Sequence, residues 1–117
     1  MTYEEMVSII KQANENADAT AIREHVAIEV DVRGEAEGAF YIEIREGKVL
    51  VEPYEYYDRD AIITASAQVA IDVTTGKLGI EEAYNEGRLH IRGKFDKAYL
   101  LDEISYKKKA VKSKRSK

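Results

Sequence analysis

Residues 26–51 alternate apolar and polar side chains in three successive runs, and no other feature of the chain restricts its fold as strongly. Val26, Ile28, Val30 and Val32 interleave with Ala27, Glu29, Asp31 and Arg33. Phe40, Ile42 and Ile44 interleave with Tyr41, Glu43 and Arg45, and Val49 and Val51 resume the pattern beyond Glu46-Gly47. Side chains of a strand point to opposite faces in turn, so each run predicts a strand with one buried and one wet face. Glu46-Gly47 supplies a tight turn, Pro53 helps end the third run, and the three strands form an antiparallel meander.

Helical spacing flanks this block. Met6, Ile9, Ile10 and Ala13 recur every three or four residues, and Thr2 with Glu5 resembles a capping box, which predicts a helix over roughly 3–15. After Asn14, Asn16 and Asp18 interrupt it, Ala19–Arg23 reads as another short turn of helix. Residues 54–60, YEYYDRD, read as a crossover loop, and AIITAS after them as a fourth strand. Ala67, Ala70, Ile71, Val73 and Thr74 return to helical spacing until Gly76 or Gly79 breaks it, and Ile80, Ala83 and Tyr84 mark a further turn or two. RLHIR is a fifth strand with Leu89 and Ile91 facing in, and Asp96–Ile104 reads as one closing helix that offers Ala98, Leu101, Tyr99 and Leu100 to the core. Strands grouped at the front, with helices elsewhere, make an α+β fold: a five-stranded sheet, covered mainly on one face.

The chain has 117 residues, enough for one continuous core. It is 44% hydrophobic and 34% charged, the balance of a globular domain. It has no cysteine, and so no disulfide, thiolate nucleophile or sulfur-bound zinc, which fits a reducing cytoplasm. Neither a signal peptide nor a membrane span is visible. The formal net charge is −4, yet the last eleven residues hold Lys107, Lys108, Lys109, Lys112, Lys114, Arg115 and Lys117 with no anion, so about −11 falls on the rest. The expected division is a domain over 1–106 and a basic tail over 107–117. An acidic body repels nucleic acid, and no aromatic residues interleave with the basic ones, so no specific nucleic-acid partner is expected. The tail either makes weak contact with anionic membrane lipid, or is disordered, serves solubility or extends the last helix.

Residues that could carry chemistry do not assemble. His25 and His90 lie far apart, with no paired metal motif and no partner for base catalysis. The pairs Glu4-Glu5, Glu35-Glu37, Glu81-Glu82 and Asp102-Glu103 read as solvated faces, and Ser8, Ser66 and Ser105 lack a nucleophile setting. No catalytic residue, cofactor or metal is therefore assigned, and the chain does not read as an enzyme. Tyr54, Tyr56 and Tyr57 either rim a pocket or protein interface, or cover the sheet edge.

The phrase DRDAIITAS, the helix ending TGKL at 75–78 and the strand Gly87–Gly93, G-x-L-x-I-x-G, stand in an order that resembles the sterol carrier protein type 2 domain over roughly residues 25–104. The resemblance implies an apolar tunnel between a five-stranded sheet and its helices. Gly87 would end a helix in a left-handed conformation, and Gly93 would let the last helix fold back as a lid. The implied ligand is a fatty acid, an acyl-CoA or another flat apolar molecule, whose binding rests on buried area rather than on polar motifs. Phe40, Ile42, Val69, Val73, Leu78, Leu89, Leu100 and Ile104, the inward side chains of these elements, are the expected wall; taken singly each reads more readily as plain core, so the expectation concerns the set. The competing reading is an interaction module, its tunnel filled, that dimerises or docks to an enzyme.

Overall fold

The protein, seen as a computed structural model, is described for residues 1–53 and 58–106. The basic tail and Tyr54, Tyr56 and Tyr57 lie outside the described residues. The elements are α1 (Tyr3–Asn14), β1 (Val26–Val32), β2 (Gly38–Arg45), β3 (Lys48–Glu52), β4 (Ala61–Ala65), α2 (Ala67–Thr74), α3 (Ile80–Asn85), β5 (Leu89–Gly93) and α4 (Phe95–Tyr99). A 3-10 turn, Leu100–Glu103, follows α4.

Local chemistry accounts for the boundaries. The Thr2 hydroxyl accepts from the Glu5 amide at 3.1 Å, and the Glu5 carboxylate accepts from the Thr2 amide at 2.8 Å. This reciprocal capping box starts α1. Glu46 and Gly47 both take positive φ, 54° and 78°, the turn geometry that matches the twist of a two-residue hairpin between β2 and β3. Gly93 has φ 98°, and a Cβ there would stand 2.7 Å from the Asp60 carbonyl oxygen, so only glycine lets β5 close against the start of β4. Gly76 ends α2, and Gly79 is the N-cap of α3.

The sheet order is β3-β2-β1-β4-β5, with β1 and β4 parallel and the other neighbours antiparallel. Register stacks the apolar residues of all five strands on one face. Val30 lies opposite Phe40 on one side and Ile63 on the other, and Ile63 lies opposite Ile91. Helix α1 packs against β3 and α2, α2 against β1, and α4 against β1, β4 and β5. Met6 and Ile10 from α1, Ala70 from α2, Ile80 from α3 and Ala98 from α4 are fully buried in this core.

Three expectations need correction. First, the opposite sheet face is not wet at its centre: Ala27, Glu29, Tyr41 and Glu43 are all buried, while Leu50, His90 and Arg92 of the outer strands are exposed as expected. Cations match the two buried glutamates. Arg59 Nε lies 3.1 Å from Glu29 Oε1, while His25 Nε2 and Arg45 reach Glu43 at 2.5 and 3.1 Å. Burial alone would raise the Glu43 carboxyl, but hydrogen bonds from His25 and Arg45 outweigh it and hold the group below its ordinary range. Second, Ala19–Arg23 forms one turn, closed by the Ile22 amide donating to Ala19 O at 2.9 Å, and not a helix. Asp18 dictates this: its carboxylate accepts from the Thr20 amide and hydroxyl, and its backbone exchanges two 2.8 Å hydrogen bonds with Ser105. Third, Asp96–Ile104 is not one helix. Asp102 is drawn aside to cap α3, accepting from the amides of Ile80 at 2.6 Å and Glu81 at 3.2 Å, and Ile104 is already extended, leading into the bridge between Ser105 and Asp18.

Candidate functional site

Helix α2 runs out at Thr74, and the chain then makes the tight passage Thr75–Gly79 before α3. The 3-10 turn and the strand-like exit through Ile104 to Tyr106 run opposite this passage. Between them lies a groove of about 700 Å³, lined by Ala13 of α1, Val73 of α2, Leu78 and Gly79 of the passage, and Leu101, Ile104 and Tyr106 of the C-terminal segment. Its two charged side chains, Lys77 and Asp102, belong to exposed residues. Asp102 is already committed to the first amides of α3.

A buried hydrogen-bond system closes the inner end. The Tyr106 ring lies on Gly76 so closely that a Cβ at that position would stand 2.6 Å from Tyr106 Cδ2. The Tyr106 hydroxyl donates to the Thr74 carbonyl oxygen at 3.0 Å. Asn14 Nδ2 donates to the same oxygen at 2.8 Å and to Ile10 O at 2.9 Å. With both amide hydrogens aimed at carbonyls, the orientation of the Asn14 amide is fixed. Its Oδ1 is buried and has no hydrogen-bond partner among the described residues. Burial, with a smaller contribution from Asp102, pushes the Tyr106 phenol above its ordinary range, so the hydroxyl is a neutral donor at any physiological pH.

A second cleft of about 700 Å³ lies among Thr20, Ile22, Arg23, Glu24, His25, Arg45, Glu46 and Gly47. Charged or titratable side chains make up most of its wall, whereas the groove mixes Ala13, Val73, Leu78, Leu101 and Ile104 with Thr75, Lys77, Asp102 and Tyr106. The groove offers an apolar ligand more aliphatic side chains to lie against than the cleft, whose one aliphatic lining residue is Ile22.

Of the eight wall residues read from the sequence, the structure brings Val73, Leu78 and Ile104 together in the groove. Phe40, Ile42 and Leu89 are buried on the apolar sheet face, packed into the core cluster; Val69 and Leu100 are partly buried against it. Ala13, Gly76, Leu101 and Tyr106 contribute to the site without having been singled out for it. Gly76 and Tyr106 are thirty positions apart, and periodicity carries no trace of their contact. The two ingredients that could have drawn attention are a glycine just past a helix end and the last aromatic residue before the lysines. Among the described residues, no group of three or more His, Cys, Asp or Glu is placed to hold a metal, and no helix is long and apolar enough to cross a membrane.

Residues 8–104 match the profile of the SCP-2 sterol transfer family, which extends the region of resemblance back into α1. No match is found among curated protein sequences. Solved structures share the fold. The stereoselective inverting sec-alkylsulfatase Pisa1 from Pseudomonas sp. aligns at TM-score 0.66 and 11% identity over 81% of this chain, which spans only 15% of that enzyme. The ubiquinone synthesis protein UbiJ-SCP2 aligns at TM-score 0.63 and 15% identity, covering 86% of this chain and 90% of the other. Sterol carrier protein 2 like 2 from Aedes aegypti aligns at TM-score 0.60 and 17% identity, covering 86% and 93%. At these identities the likeness is one of fold.

Proposed function

The chain belongs to the SCP-2 sterol transfer family, and from that membership we propose that it is a non-enzymatic carrier that holds a fatty acid, acyl-CoA or similar apolar molecule in the groove between α2 and the C-terminal segment. One observation carries the reading: Val73, Leu78, Leu101 and Ile104 line an open volume of about 700 Å³ beside a packed core. That is within the few hundred to roughly 1,000 Å³ usual for small-molecule sites. Each methylene removed from water there contributes about 0.8 kcal/mol, so a ligand needs few polar partners. Val73, Leu78 and Ile104 touch it; Phe40, Ile42 and Leu89, packed into the core, and Val69 and Leu100, partly buried against it, back the site without lining it. The cations of the tail bring the carrier to anionic membranes in the cytoplasm, each contributing about 1 kcal/mol near the surface.

The competing reading, a docking module for an enzyme or a second copy, draws support from the complete burial of Phe40 and the near-complete burial of Ile42 and Leu89 in the core. One titration separates the two. Delipidated protein is mixed with a fluorescent fatty-acid probe at micromolar concentration; the carrier reading expects saturable, displaceable binding near one probe per chain. Val73→Asp, or Leu78→Asp at the half-buried rim if the first variant fails to fold, abolishes it, because a carboxylate set against the aliphatic part of the wall takes the place of the apolar contact that holds the ligand. Absence of displaceable binding would leave the docking module standing alone.

A further inference from the structure

Strand β3 ends the sheet, and among the described residues no strand pairs with its outer edge. The hairpin decides which backbone groups face that way. A two-residue turn places its flanking residues, Arg45 and Lys48, in a hydrogen-bonded pair, and such pairs alternate with non-bonded ones along an antiparallel ladder. Lys48, Leu50 and Glu52 therefore bond to β2, while the amides and carbonyls of Val49 and Val51 point outward. The side chains alternate as well: Val49 and Val51 turn toward the core, where Val51 is buried, and Lys48, Leu50 and Glu52 lie on the outer face. Leu50 is 38% exposed there. A hollow of about 150 Å³ borders the strand, lined by residues 49–52 and by Lys11, Asn14 and Glu15 of α1, so a neighbour can approach the edge along these residues.

The strand reads Lys-Val-Leu-Val-Glu, the same order of apolar residues from either end with opposite charges at the two ends. Two copies laid antiparallel about Leu50 set Lys48 opposite the partner's Glu52, and Glu52 opposite the partner's Lys48. Val49 then meets the partner's Val51 as a hydrogen-bonded pair, which satisfies the outward amides and carbonyls of both. Leu50 meets the partner's Leu50 as a non-bonded pair, the kind that brings side chains closest. Among the described residues, neither Lys48 nor Glu52 has an ion-pair partner within the chain. Pro53 on one side and the Glu46-Gly47 turn on the other stop the pairing at both ends. The opposite edge of the sheet, β5, lacks this complementarity. The same operation about His90 sets Arg88 against the partner's Arg92, and like charges directly opposite push two copies apart. We propose that β3 is the surface through which two copies of this chain associate, joined antiparallel about Leu50 into one continuous sheet. This goes beyond the carrier reading, because β3 contributes no residue to the lining of the groove.

The test is sedimentation equilibrium of the full chain at low ionic strength. One short strand pair makes a small interface and hence a weak dimer, so concentrations run from roughly 10 µM to 1 mM, and a monomer–dimer equilibrium is expected within that range. Lys48→Glu and Glu52→Lys each turn both cross-strand ion pairs into like-charge pairs and should weaken association about tenfold or more. The double variant Lys48→Glu/Glu52→Lys exchanges the charges and should restore it. A mixture of the two single variants should form a heterodimer, because each then carries the charges that the other lacks. Geometry is checked separately by cross-linking. The chain has no cysteine, so Leu50→Cys should give a disulfide-linked dimer on mild oxidation, since non-bonded antiparallel pairs bring Cα atoms within disulfide range. Ile9→Cys, at a comparably exposed position on α1, should not. A protein that stays monomeric to 1 mM overturns the proposal, as does a dimer that neither charge reversal weakens or that the charge exchange does not restore. Each of these results leaves the fatty-acid titration, and with it the carrier reading, to stand or fall by itself.

Discussion

Gly76→Ala drives a wedge beneath Tyr106, and its cost can be worked from two separable parts. Gly76 has φ 87°, a conformation that costs a residue with a Cβ about 1–2 kcal/mol. The new methyl would also stand 2.6 Å from Tyr106 Cδ2 and 3.0 Å from Cγ, so the ring must leave its place. Its departure breaks the 3.0 Å bond to Thr74 O, worth about 1 kcal/mol net for a neutral hydrogen bond. Together the substitution should destabilise by about 2–3 kcal/mol. In a Tyr106→Ala background the second part is already gone, and only the backbone strain of about 1–2 kcal/mol remains. Urea unfolding of wild type, both single variants and the double variant, followed by far-ultraviolet circular dichroism, gives the four free energies of a double-mutant cycle. The expected coupling is about 1 kcal/mol. Equal cost of Gly76→Ala in the two backgrounds would show that Tyr106 does not rest on Gly76, and the account of the groove's inner end would fail with it.

Asp102→Ala removes the carboxylate that accepts from two amides at the start of α3, and the loss of such a cap should cost about 0.5–2 kcal/mol by the same urea assay; an unchanged midpoint would refute the capping role. Glu43 predicts a pH dependence. Its carboxyl lies lower in the folded protein than in the unfolded chain, so the unfolded state binds more protons between the two values. The stabilisation is present above the ordinary carboxyl value of 4.5 and is lost as pH falls through the folded value. Glu43→Gln should flatten the acid limb of a stability-versus-pH curve, and a variant whose acid limb matches wild type would count against the His25–Glu43–Arg45 arrangement.

Much of the fold is legible in the sequence because strand and helix periods are local. The alternation through Val26–Val32 and Phe40–Ile44 requires only that neighbouring side chains point to opposite faces, and Glu46-Gly47 requires only a turn. What lies above a face is a different matter. Glu29 and Glu43 look solvated in sequence, yet both are buried, because matching cations arrive from Arg59, His25 and Arg45. Asp102 misleads in the same way: as one of two adjacent carboxylates it reads as a helix surface, but its partners are amides 21 and 22 positions away. The candidate site shows the same division. Val73, Leu78 and Ile104 were legible as inward-facing apolar residues. Tyr106 was not, since it stands next to a run of lysines and its place is set by a glycine and a carbonyl contributed by the end of α2.

The parallel ladder at the sheet centre governs the order in which the chain can assemble. The β2–β3 hairpin needs only a two-residue turn and can close within microseconds. The pairing of Ile28 with Ala61 must instead gather strands 33 positions apart and lose the corresponding loop entropy before any contact repays it. Such a topology has appreciable contact order, so the folding nucleus must reach across the molecule and folding should be slower than in a helical bundle of similar length. Until β4 arrives, β1 presents an unpaired edge, and in that interval the nascent protein is most exposed to association with other chains.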